Sequence, residues 1–403
     1  MKKKHLIFIA FLLSLSLCAG CSNAGSTFAK KKDKASKETE NTEENTPEEM
    51  TVTVPVQNDP VSDAGIPDEA NDSAPTSEEI EGNSKGRVAM IADTAGINDH
   101  SFNQAAWDGL VRLNDDTGAT VKYITTANGL TFNDNIETLV SEDYSLIWGV
   151  GYTSADALLE AATKHPDRNF AVLDHSFENI ADNLTGVTFR AEEPSFMAGY
   201  IAASVSKSGR TGFIGGMESA TIDAFRYGFE AGVAYANKEL SKNVTVDTQY
   251  ADSFDSAAIG KEMALKMYED GCDVIFHAAG NTGTGVIEAA RELGPDHFVI
   301  GVDRDQSYLA PDNVLTSVLK NVTVVIENVS VQYMMNSNIG GISLDFGLSE
   351  HAVGLSENHD NYSDEIYEKA VGLGEKIASN TVLVPKNEAE FNDMIINNFQ
   401  TLQ

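Results

Sequence analysis

The strongest constraint in this chain is an alternation. Short apolar runs that end in glycine or aspartate are each followed by a stretch of helical length with apolar residues three and four apart. It opens at residues 87–93 (RVAMIAD), and residues 101–116 then place Phe102, Ala105, Ala106, Leu110 and Leu113 at helical spacing. Strands over 121–125, 145–151 and 169–174 alternate with helices over 133–141 and 154–165. After residue 185 the pattern restarts. It gives strands over 186–189, 210–215, 244–250, 273–278, 297–303 and 314–319, with helices over 193–205, 222–237, 257–269 and 284–293. Two further helices, 323–335 and 364–379, flank a strand-like stretch at 343–355. Strands alternating with helices of this length form parallel sheets with right-handed crossovers. There are about twice as many such units as one sheet normally holds, so the expected fold is α/β, with two doubly wound parallel-sheet lobes.

The first 84 residues do not share this pattern. Lys2 to His5 is a cationic stretch, residues 6–17 form a short apolar run, and Cys18-Ala-Gly-Cys21 follows. That order is the anatomy of a signal peptide. A cysteine at its end resembles a bacterial lipobox, which implies cleavage before Cys21 and lipidation of its sulfur. Residues 22–84 hold five of the ten prolines, fifteen acidic residues and five lysines. With no sustained apolar period, such a segment is expected to be a disordered tether. The expected organisation is a signal peptide at 1–20, lipidated Cys21 and an acidic linker at 21–84, one lobe from 85–188 and 322–345, and a second from 189–321 and 346–403. The three crossings between lobes would serve as a hinge.

Composition narrows the function classes. The formal charge is −33, from 28 basic and 61 acidic residues, and this disfavours a nucleic-acid partner, whose phosphates are held by Lys and Arg. The eight histidines show no paired metal-ligand spacing, and neither a Walker A motif nor a Gly-x-Ser-x-Gly elbow is present. The sequence therefore implies no cofactor and no metal.

In doubly wound folds, ligands bind beyond the carboxyl ends of the strands. Those positions hold Asp93, Asn98, Asp99, Ser101, Phe102 and Asn103; Gly149, Gly151 and Tyr152; Asp174 and His175; Gly215 to Met217, followed by Phe225; Phe276, His277 and Gly280; Asp303 to Gln306; and Lys320. Aromatic faces with carboxylates, amides and one lysine suit a flat, neutral, polar ligand. A phosphate would call for several cations or a helix N-terminus lined by free N–H groups. Read alone, Lys320 is more often an ion-pair partner than a ligand contact, and His175 and His277 read as polar bystanders. Phe225 and Phe229 lie four apart, so one of the two belongs to a core.

The stretch Ala92-Asp93-Thr-Ala-Gly-Ile-Asn98-Asp99-His-Ser-Phe102-Asn103-Gln104 resembles the opening motif of the basic membrane protein family of lipoproteins, although Asn98 stands where the family often has Asp. Phe213 to Met217, Ala224 to Phe229, Asp273 to Phe276, Ala279 to Gly283 and Gly301-Val-Asp-Arg-Asp-Gln306 are similar to its later blocks. The resemblance covers essentially all of residues 85–403. It implies a type I periplasmic-binding-protein-like fold and a purine nucleoside receptor that feeds an ABC transporter. By the resemblance, Phe102 would stack on the base, Asn103 and Asp174 would bond to it or beside it, and Asp303 and Lys320 would hold the ribose hydroxyls. The second stacking aromatic is expected to be Phe276, with Phe225 as the alternative. Asp93 and Gly280 complete the candidate set.

The expected protein is thus a non-enzymatic, monomeric receptor on the outer face of the cell membrane. Its partners would be a nucleoside, ABC permease subunits and, through the lipid, the membrane. Three other readings stay open: a hydrolase using the carboxylates, a receptor for a sugar or signalling molecule, and a sensory or adhesive lipoprotein without transport.

Overall fold

The computed structural model describes residues 77–126, 131–335 and 339–397. The expected signal peptide, Cys21 and the tether up to residue 76 lie outside the described residues. Among the described residues, thirteen strands and ten α-helices follow one another, mostly in alternation. The first part runs β1 (Ser77–Ile80), β2 (Arg87–Ala92), α1 (Phe102–Thr117), β3 (Thr120–Thr125), α2 (Phe132–Ser141), β4 (Leu146–Gly149), α3 (Ala155–Lys164), β5 (Asn169–Leu173) and β6 (Leu184–Phe189). The second runs α4 (Glu192–Val205), β7 (Arg210–Gly215), α5 (Ala220–Leu240), β8 (Thr245–Tyr250), α6 (Ala257–Glu269), β9 (Val274–Ala278), α7 (Asn281–Leu293), β10 (Phe298–Asp303) and β11 (Val314–Lys320). The chain ends with α8 (Val322–Met334), β12 (Ile342–Phe346), β13 (Val353–Leu355), α9 (Asp364–Ala378) and α10 (Glu388–Ile396).

The strands form two sheets, ordered β1-β3-β2-β4-β5-β6-β12 and β13-β11-β10-β9-β7-β8. All pairings are parallel except β1 on β3 and β13 on β11, which are antiparallel edges. Within each sheet the first strand to pair in parallel is flanked by the second and third, so β2/β4 and β7/β9 are topological switch points. The central strands read as unbroken apolar runs because helices cover both faces. In the first lobe α1 and α8 pack on one face and α2 and α3 on the other. In the second, α4, α5 and α9 face α6 and α7 across the sheet. Helices α4 and α5 approach so closely that a Cβ on Gly199 would lie 2.1 Å from the Phe229 carbonyl oxygen, and one on Gly232 2.0 Å from that of Phe196. The chain passes between the sheets three times, after β6, after β11 and after β12.

One expectation is corrected and another is given its detail. Residues 77–80, assigned by composition to the tether, form β1 on the edge of the first sheet. Glu79 there accepts hydrogen bonds from Arg87 and Tyr144, so tertiary partners hold a strand that its own Ser-Glu-Glu-Ile sequence does not favour. The strand-like stretch at 343–355 is two strands in different sheets. β12 pairs with β6 and β13 with β11, on either side of the crossing between lobes. Helix α10 was not anticipated.

Candidate functional site

The carboxyl ends of the two sheets face each other across a cleft of about 640 Å³, measured to include its mouth. It is lined by Asp93, Asp99, Phe102 and Asn103 after β2, Tyr152 and Thr153 after β4, and Asp174 after β5. From the second lobe come Thr221 and Phe225 of α5, Phe254 after β8, Gly280 after β9, and Asp303 and Lys320, the last residues of β10 and β11. Of the nine ligand candidates read from the sequence, all but Phe276 line it.

The first-lobe wall is built around the start of α1. Its N-cap residue Ser101 makes no side-chain cap bond. The buried Asp99 carboxylate does that work, accepting from the backbone N–H groups of Ser101 (2.9 Å), Asn103 (2.8 Å) and Gln104 (3.0 Å). Asn103 Nδ2 then donates to both Asp99 (3.0 Å) and Asp93 (2.9 Å). Two carboxylate partners fix which end of the amide is nitrogen. Asn103 is 2% exposed, and its Oδ1 has no hydrogen-bond partner. Both side-chain bonds that Asp93 accepts fall on Oδ1. This corner offers acceptors. Burial, reinforced by the neighbouring Asp99 charge, pushes the Asp93 carboxyl up to about 6, and burial raises Asp99 as well.

Across the cleft, Lys320 Nζ donates to both carboxylate oxygens of Asp174, at 2.7 and 2.8 Å, and this pair is almost wholly buried. The ammonium also lies 4.4 Å from the ring centre of Phe102, 4.9 Å from Phe189 and 5.6 Å from Phe225. Asp303 accepts a short hydrogen bond from Ser101 Oγ of the opposite lobe. Burial pushes its carboxyl up to about 6, against the pull of Lys320 and Ser101. Asp174 and Asp303 both sit in the left-handed region, at φ 60° and 64°. Non-glycine residues held there at strand ends are strained backbone, which persists where the surroundings over-determine it. Gly280 contributes backbone only. Its φ of 55° with ψ of −135° is a conformation other residues avoid.

Phe276 is the correction within the site. It is the middle residue of β9, fully buried in the second-lobe core against Phe213, Phe225 and Phe229. A strand's side chains alternate between faces, and this one points into the α4–α5 layer, not off the strand end. Phe225, the alternative, lies on the first turns of α5 and lines the cleft. His175 and His277 do not line it; His277 is buried, its ring against Gly283. Sequence reading missed Phe254, Thr221, Thr153 and the cage residue Phe189. Phe254 carried a usable signal, an aromatic in a polar Ser-Phe-Asp triplet just past a strand, like Ser101-Phe102-Asn103. Among the described residues no group of three or more His, Cys, Asp or Glu is placed to hold a metal ion.

Comparison with protein families matches residues 86–388 to the family described as ABC transporter substrate-binding protein, PnrA-like. The chain belongs to that family. Basic membrane protein A of Borreliella burgdorferi is 38% identical over 308 residues, 76% of this chain and 89% of that protein. Basic membrane protein A of Borreliella afzelii is 39% identical, covering 76% and 93%. Among solved structures, an ABC transporter solute-binding protein of Aeropyrum pernix K1 superposes with a TM-score of 0.70 at 24% identity, covering 79% of this chain and 98% of that one. One from Conexibacter woesei gives 0.61 at 21%, covering 75% and 99%. These likenesses establish the fold as the two-lobed α/β type I binding-protein architecture. The PnrA-like chain is thus a solute-binding protein, not an enzyme, and works with the permease subunits of an ABC transporter. Among the described residues no helix is long and apolar enough to cross a membrane.

Chemically, the cleft can bind and release; it has no need to break bonds. It sets four carboxylates, Asp93, Asp99, Asp174 and Asp303, against one ammonium, so it favours donors and neutral polar groups over anions.

Proposed function

We propose that this chain is the lipid-anchored, extracytoplasmic receptor that captures a purine nucleoside between its lobes for uptake by an ABC permease. The observation that carries the reading is one arrangement: aromatic faces from both lobes around an acceptor-rich corner, with a carboxylate–ammonium pair beside it. Phe102 and Phe225 supply surface for a flat heterocycle. The Oδ1 of Asn103 needs a donor, which the N–H groups of a base edge provide. Asp303, Asp174 and Lys320 suit vicinal hydroxyls, the carboxylates accepting and the ammonium donating. The excess of carboxylates disfavours a nucleotide. Closure over the ligand follows from its contacts with both lobes, since a ligand shifts the equilibrium toward the form it binds better. The protein is held outside the cytoplasmic membrane by lipid on Cys21, with the acidic stretch as tether.

Thermal unfolding of residues 77–403 against nucleosides, free bases, nucleotides and sugars tests this. Purine nucleosides are expected to raise the midpoint by mass action, and their phosphates are not. A response to sugars alone would overturn the nucleoside assignment in favour of a sugar receptor.

A further inference from the structure

We propose that Arg304 and Asp108 form a latch that keeps the lobes closed from outside the ligand cleft. This rests on the capture-by-closure reading above. Arg304 follows β10 in the second lobe and Asp108 lies on α1 in the first, yet Arg304 Nη1 and Asp108 Oδ2 are 2.6 Å apart. Neither residue lines the cleft. They are positioning residues, able to act on the ligand only through closure.

The neighbouring contacts show that this is a built surface and not a chance encounter of two long side chains. Gln306 is completely buried. Its Oε1 accepts from the Val302 N–H (2.9 Å), and its own N–H donates to Ser317 Oγ (3.1 Å). Those two bonds fix the turn after β10 to its own lobe. The remaining amide group, Nε2, then donates across the gap to the His100 carbonyl at 3.1 Å. His100 holds a left-handed φ of 52°, and its Nδ1 lies 3.0 Å from the Tyr308 hydroxyl. A rigid turn from one lobe is therefore seated on the start of α1 of the other, and the Arg304–Asp108 ion pair lies one to two helical turns further along. Elsewhere the lobes share Thr94 with Asp255 (3.0 Å) and Thr221 with the Asp174 carbonyl (3.3 Å), and the cross-lobe pair Lys320–Asp174 lies within the cleft. The Arg304–Asp108 pair is thus a charge-assisted contact between the lobes that lies outside the cleft, and it forms only when the lobes meet.

The pair is partly exposed, with side chains 28% and 39% accessible, so each partner is worth a modest factor. Arg304→Ala and Asp108→Ala are each expected to raise the nucleoside off-rate and Kd about threefold to fivefold, with the on-rate little changed. Arg304→Asp, which sets two carboxylates against each other, is expected to raise them about tenfold. The swapped double variant Arg304→Asp with Asp108→Arg is expected to recover the original Kd to within about twofold. Stopped-flow binding and calorimetry on the globular chain, with circular dichroism to confirm folding, make the measurement. Folded single variants with an unchanged off-rate would overturn the latch, as would a swap that fails to recover. If the unaltered chain binds no nucleoside, the functional reading fails and small-angle scattering of ligand-free protein decides the latch. A larger radius for Arg304→Asp than for the parent supports it, and equal radii overturn it.

Discussion

The two walls of the cleft are made of similar residues on sheets of the same strand order, yet they are assembled differently. The first-lobe corner is complete within its own lobe. Asp99 takes its hydrogen bonds from the start of α1, and Asn103 joins Asp99 to Asp93. Opening the lobes leaves that network intact. The second-lobe groups borrow their partners. Lys320 is neutralised by Asp174 and Asp303 is bonded by Ser101, both from the first lobe. Opening returns these two charges to water and closing desolvates them. The difference teaches that one wall is a template and the other a closure-dependent clamp.

The largest expected effect breaks the clamp. Lys320→Met leaves Asp174 and Asp303 buried together without a cation, and removing one partner of a buried pair costs about 3–5 kcal/mol. Because the pair exists only between lobes, that cost falls on the closed form. Calorimetry should show nucleoside affinity weakened about 100-fold or more, while the ligand-free melting temperature changes little. A large loss of ligand-free stability with unchanged affinity would reverse the assignment of template and clamp.

A second prediction sharpens the comparison through pH. Asp303 is pushed up to about 6 in the closed form, against about 4 in an unfolded chain. Between those values the closed folded state binds more protons at Asp303 than the unfolded chain, so the contribution of Asp303 to the stability of the closed form is fully present below pH 4 and is lost as pH rises through 6. At about 1.4 kcal/mol per pH unit the decline is no more than about 3 kcal/mol. In the ligand-bound, closed protein Asp303→Asn should remove this part of the pH dependence of the melting temperature between pH 4 and 7. A parent whose stability rises with pH across this window, with no difference in the variant, would show that Asp303 is already ionised.

The smallest effect tests the template. Asn103→Leu removes the donor shared by Asp93 and Asp99, which keep their backbone N–H partners, so the cost is that of the lost side-chain hydrogen bonds, about 1–2 kcal/mol. This loss should appear in chemical denaturation of the ligand-free protein, unlike that of Lys320→Met. An unchanged midpoint would mean that the first-lobe corner is not pre-assembled.

Much of this was legible before any coordinates. The strand–helix alternation is local chemistry, and Asp93, Phe102, Asn103, Asp174, Gly280, Asp303 and Lys320 all sit at or just past strand ends, where the fold must place its ligand. Phe276 was misread because strand-end proximity was given more weight than strand alternation; three residues into β9, it faces the core. Phe189 was passed over because its use depends on which segments lie opposite it, whereas Phe254 could have been found from its polar triplet just past β8.

The sequence by itself determined the fold class, the two-lobe count and most of the cleft's lining, because apolar periodicity and strand-end chemistry act over a few residues. Only the tertiary structure decided that residues 77–80 add an edge strand to the first sheet, that Phe225 and not Phe276 faces the cleft, that Asp99 caps α1, and that Lys320 closes on Asp174. Each of these is a contact between residues far apart in the chain. Its energy depends on burial and on distances of a few ångströms, which no local pattern records.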